Sequence, residues 1–291
     1  MTDLPQMNGA DAGQDDRPVK IIRPSRTIIE VLTKAPAILL NHRSLLREMT
    51  LLRLKVRYRQ SLLGWLWAVI PPLMLMITYT LIFSRVIGLQ VGDTPYALFI
   101  FAGLIPWTFF ANSVSTATAG IVTHRYLISR VAFPREIVPI SYLAAALVDF
   151  AVGVLMLAAM MWHFGYAASP RALYAVPIVA TLVIFTTAVS LCFSSFQARF
   201  RDIGIAMPLL LQVLMFTAPI VYSSAVIPER LKAAYFANPL AILIEAFRQS
   251  VIFGVAPNST EMLYCAVVSS LYLVFSYTLF KLMDATLADV L

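Results

Sequence analysis

KVRYRQSLLGWLWAVIPP, residues 55–72, decides the fold. Lys55, Arg57 and Arg59 crowd its start, and no charge follows from Leu62 to Phe83. An uncharged helix of roughly 20 residues, rising about 1.5 Å each, covers about 30 Å of hydrocarbon. Cationic flanks resist translocation, so the basic side is expected to stay in the cytoplasm. The junction therefore predicts where a membrane begins and which way the chain faces it.

Composition carries this reading outward. Of 291 residues, 60% are hydrophobic and 13% charged, against about 25% charged in soluble domains. The formal net charge of +7 does not point to nucleic acid, because the basic residues flank apolar runs. Anionic lipid is their expected partner. Cys192 and Cys265 lie inside apolar runs, without disulfide-framework or metal spacing. Residues 1–35 carry Asp11, Asp15 and Asp16 and no early apolar core. They read as a cytoplasmic tail and not as a signal peptide.

Residues 36–60 read as an amphipathic helix lying at the membrane interface. Ile38, Leu45, Met49, Leu52 and Val56 share one face, and Arg43, Arg47, Thr50 and Arg57 the opposite one. The expected fold is all-α, with a six-span transmembrane domain over 61–291. Crossings are expected near 62–87, 95–118, 137–164, 172–196, 203–222 and 262–282, with both termini cytoplasmic. All 22 lysines and arginines except Arg85, Arg171, Arg230, Lys232 and Arg248 then fall on the cytoplasmic side. Pro71 and Pro72 should bend or interrupt the first crossing, as a plain kink or as a gating hinge. Segment 120–136, with His124, Arg125, Arg130 and Arg135, reads as a cytoplasmic loop holding a short helix. Residues 225–257 are apolar but punctuated by Pro228, Pro239 and Pro257. They read as two short outer re-entrant helices, shaping either a mouth or a plug.

Candidate chemistry is sparse. No Gly-Lys dipeptide occurs, so the chain has no phosphate-binding loop of its own. No H-E-x-x-H or G-x-S-x-G motif is present, and His42, His124 and His163 are far apart in the expected topology. Asp149 is the one charge well inside a crossing. Two readings stand for it, a pathway residue or a buried hydrogen-bonding group. Glu245 and Arg248 stand at a pairing i, i+3 spacing in the second outer helix. Trp65, Trp67, Trp107, Phe109, Phe110, Phe216 and Tyr222 are interface anchors or line a path on which the apolar faces of sugars stack.

Several ordered motifs resemble one family. They are the run from Leu54 to Pro72, GLIPWTFFAN at 103–112, RVAFPREIVP at 130–139, LVDF at 147–150, NPLA at 238–241 and EAFR at 245–248. Together they resemble the type-2 ABC exporter permeases of polysaccharide export, the O-antigen, capsule and teichoic acid transporters. The similarity spans about residues 35–285.

The resemblance implies a homodimer engaging two copies of a separate ABC ATPase. ATP and magnesium would belong to that partner, and this chain would hold no cofactor. A coupling helix at about 121–131 would dock in the ATPase. Arg125, Tyr126, Leu127 and Arg130 would carry the contact, together with Arg57 and Arg59 of the amphipathic helix. Trp67, Trp107, Phe109, Asp149, Phe216 and Tyr222 are the candidates for the substrate path, and Glu245 and Arg248 for the outer mouth. The implied substrate is a lipid-linked glycan, O-antigen first, crossing the bacterial inner membrane. Alternatives are a capsule or teichoic acid permease, a type-2 permease for a drug or lipid, and, more distantly, an integral membrane transferase acting on lipid-linked sugar.

Overall fold

Apolar helices that bury different shares of their surface organise the chain. The computed structural model describes residues 36–59, 64–88, 92, 94–167, 169–223 and 227–290. The expected tail, residues 1–35, lies outside them. Among the described residues, five helical stretches are long and apolar enough to cross a membrane: Leu66–Val86, Tyr96–Thr123, Ile137–His163, Pro170–Arg199 and Ser259–Asp284. The chain is a polytopic helical membrane protein.

Residues 36–41 are helical and lead through His42 into α1, Arg43–Tyr58. The first crossing is assembled from pieces: a 3-10 turn at Gly64–Ala68, α2 at Ile70–Tyr79 and a π-helical stretch at Thr80–Val86. Pro71 and Pro72 fall in the first turn of α2. The first N–H groups of a helix have no internal partner, so proline breaks no bond there. The expected interruption is therefore a helix start.

α3, Tyr96–Thr123, is the centre of the bundle and is apolar and buried nearly all round. It packs against α5, Ile137–His163, and α6, Ala175–Arg199, while the long α10, Ser259–Val290, packs along α6. Between α3 and α5 lies α4, Arg125–Arg130. Later in the chain, α8, Glu229–Phe236, is followed by α9, Pro239–Val251. Asn238 starts α9 by accepting the Leu240 N–H at 3.1 Å, and the helix buries Leu240, Ala241, Leu243 and Ile244 completely. These are the two short helices expected in 225–257.

Two elements depart in detail from the sequence reading. The fifth expected crossing, near 203–222, is α7, Asp202–Thr217, an apolar helix of 16 residues. At 1.5 Å per residue that is about 24 Å, less than the usual hydrocarbon thickness. The helix stops at Ala218, where the chain turns through Pro219 and Ile220. The packed face of α1 also differs from the helical wheel. Met49 and Leu54 are buried and Arg53 is partly covered, while Leu52 and Val56 stay exposed. α1 runs along α5, reaching Ser141 through Arg53 and Asp149 through Arg57. Those two α5 residues are about 12 Å apart along its axis. A wheel finds the most apolar direction but cannot tell whether protein or lipid will cover it.

Candidate functional site

The candidate coupling site is built from the last turn of α3. His124 forms the corner, its Nδ1 2.9 Å from the Gly120 carbonyl oxygen. α4 follows at once. Ile128 roots it in a buried cluster with Met49, Ile121, Ile137 and Val138. Arg125, Tyr126, Leu127 and Arg130 remain exposed, and the Arg130 guanidinium lies 4.0 Å over the Tyr126 ring. The result is a short basic and aromatic projection fixed to the most buried helix. Four of the six residues expected to couple sit on it. Arg59 is also exposed, at the end of α1, where its N–H donates to the Lys55 carbonyl at 2.7 Å.

Arg57 is placed differently. Its guanidinium makes an ion pair with the Asp149 carboxylate, with side-chain exposures of 35% and 15%. A residue expected on the docking face and one expected in the path are thus joined to each other. The carboxylate inside α5 is compensated by a cation from α1, which lowers the cost of holding it at depth.

Sequence reasoning missed a second set of charges. Glu136 is almost fully buried at the start of α5, where Lys281 reaches it at 2.7 Å and the Tyr277 hydroxyl donates at 3.2 Å. Arg135 holds Asp284 at 3.0 Å. These pairs lock the start of α5 to the end of α10. The available signal was that opposite charges lie at the cytoplasmic ends of two predicted crossings.

The path candidates do not converge. Trp107 and Phe216 share an open-sided cavity of about 270 Å³ with Tyr79, Gln212 and Met215. Tyr222 is tied to this edge, its hydroxyl donating to the Phe216 carbonyl at 2.9 Å. Phe109 is buried on another side, edge-on to Phe150 at 5.6 Å. Trp67 is about half exposed and is not among the residues lining the cavity.

In α9 Arg248 is completely buried. Its guanidinium donates to Glu245 at 3.0 Å, to the Pro219 carbonyl, and to the Ile220 carbonyl at 3.4 Å. It also lies 3.8 Å over the Phe99 ring. Burial pulls its pKa down to about 10, against the opposing pull of Glu245, so it stays charged at neutral pH. Gly103 makes the space, since a Cβ there would stand 2.5 Å from Arg248 Nη2. Tyr96 adds a hydroxyl donated to the Val221 carbonyl at 2.5 Å. The turn after α7 is therefore gripped through its backbone oxygens, which the i, i+3 spacing of Glu245 and Arg248 did not reveal.

Comparison with known proteins agrees with this architecture. Residues 45–252 match the family described as ABC-2 type transporter. The chain is 32% identical over 203 residues to the O-antigen export system permease protein RfbA of Klebsiella pneumoniae, covering 69% of this chain and 78% of that one. It is 26% identical over 245 residues to the protein of the same name from Myxococcus xanthus, covering 84% and 94%. It is also 24% identical over 230 residues to the polysialic acid transport protein KpsM of Escherichia coli, covering 78% and 89%.

Proposed function

The chain belongs to the ABC-2 type transporter family, and from that premise we propose that it is the membrane permease subunit of an exporter of lipid-linked polysaccharide, O-antigen first, across the bacterial inner membrane. ATP is hydrolysed by a separate ATPase, two copies of which engage a homodimer of this chain. One observation carries the reading. α3, the most buried crossing, ends in a corner whose next turn exposes Arg125, Tyr126, Leu127 and Arg130. A push on that projection is delivered straight to the core, because close-packed interiors transmit displacement.

The substrate class comes from the relatives named for O-antigen export. Among the described residues, the middle of the bundle is occupied by the buried α3. Leu66, Trp67, Met74, Ile77 and Leu81 are exposed on the first crossing, and Ile205, Leu209, Leu210 and Val213 on α7. These apolar faces flank the cavity at Trp107 and Phe216 and suit lipid or a second copy. A glycan route between two copies fits them.

The test is a deletion strain complemented with variants, with surface polysaccharide as the readout. Arg125→Glu combined with Arg130→Glu is expected to cut export by about tenfold or more through charge repulsion at the ATPase contact. Unchanged export would reject the assignment of α4. The capsule-type alternative rests on the KpsM similarity, and the polysaccharide lost on deletion distinguishes it.

A further inference from the structure

We propose that Tyr142 is a positioning residue that ties α1 to α4, so that the two cytoplasmic elements move together; the inference rests on the transport reading above. Tyr142 belongs to α5, yet its half-buried ring is contacted by residues of two other elements. From α1, the Arg53 guanidinium lies 3.2 Å from the ring centroid. Arg53 is held there by Nε donating to Ser141 Oγ at 2.7 Å and Nη2 donating to the Val138 carbonyl at 3.4 Å. Ser141 is fixed in turn by donating to the same Val138 carbonyl at 2.7 Å.

From the α3–α4 corner, His124 meets the ring edge-on with centroids 6.0 Å apart. Gly120 backs against it, since a Cβ there would stand 2.6 Å from Tyr142 Cε2 and 3.0 Å from Cδ2. Met49 of α1 and Ile128 of α4 belong to the buried cluster against which Tyr142 packs.

The physical consequence follows from the packing. A ring with neighbours on several sides cannot absorb a displacement of the corner, so the shift passes to Arg53. Burial holds the Arg53 pKa below its ordinary value, so the cation has lost water and depends on the ring and on Ser141. Cation–ring attraction is strongest under that condition. α4 alone would tell the core that the ATPase has moved. Through Tyr142 the same motion also reaches α1 and, along it, the Arg57–Asp149 pair.

The experiment uses the full chain with its ATPase. ATP hydrolysis is measured in the purified complex, and surface glycan in a complemented deletion strain. Tyr142→Leu is expected to hydrolyse ATP within about twofold of wild type while surface glycan falls about tenfold, the size of an ordinary coupling loss. Tyr142→Phe, which keeps the ring, restores export. Export by Tyr142→Leu at the wild-type level, or Tyr142→Phe as impaired as Tyr142→Leu, overturns the proposal. If Tyr142→Leu does not assemble, Gly120→Ala decides, because it keeps the ring and only displaces it. Hydrolysis without export then supports the tie, and normal export removes it. Failure of the transport reading itself would appear in the wild-type control, which would restore no surface glycan.

Discussion

Arg248 has traded water for a carboxylate, an aromatic face and two backbone oxygens. Arg248→Met would strip the Pro219 and Ile220 carbonyls of this donor and remove the Arg248 counter-charge from Glu245. Breaking a buried pair from one side costs about 3–5 kcal/mol. The melting temperature of the purified protein should therefore fall by several degrees, and an unchanged melt would mean the cation is dispensable. The Arg57–Asp149 pair is more exposed and should count for less. Arg57→Ala and Asp149→Ala are each expected to destabilise, and the double variant by less than their sum, with a coupling of about 1 kcal/mol. Strictly additive effects in that cycle would favour the pathway reading of Asp149. Sequence alone found Asp149 because a lone carboxylate in an apolar run is costly. It missed the partner because periodicity placed Arg57 on the far face of α1.

Among the elements, the first crossing separates two readings of its proline pair. Pro71 and Pro72 lie in the first turn of α2, where proline fits and no hydrogen bond is sacrificed. Replacing both with alanine is expected to change stability by less than about 1 kcal/mol and to leave export intact. Loss of export with an unchanged melt would restore the hinge reading. The crossings were legible in the sequence because desolvated backbone must pair within its own helix, which makes long uncharged runs unmistakable. α4 and α9 were legible for a related reason: a charged run cannot enter lipid, and Asn238-Pro239 is a helix-start signal. The short reach of α7 was not, because Ile203–Tyr222 reads as one apolar run. What ends the helix is a turn at Pro219 whose oxygens are held by Arg248, on a helix far along the chain. The contacts of Glu136, Lys281 and Tyr142 escaped for the same reason: each depends on which helices become neighbours.

At the scale of the whole molecule, the basic projection at α4 and the turn at α8 are expected on opposite sides of the membrane. Both native cysteines are buried, so single introduced cysteines can report sidedness. Leu127→Cys should react with an impermeant maleimide only when the cytoplasmic face is open, and Arg230→Cys only from outside. The reverse pattern would invert the topology and remove the coupling role of α4. The Arg248 grip has a last consequence for this molecule as a machine. Its targets after α7 are peptide oxygens, which every amino acid supplies alike. The fastening itself therefore does not depend on which side chains stand at 219–221, although Ile220 and Val221 are themselves packed in the core. A latch of this kind tolerates a change of residue there only where the newcomer fills the same buried space.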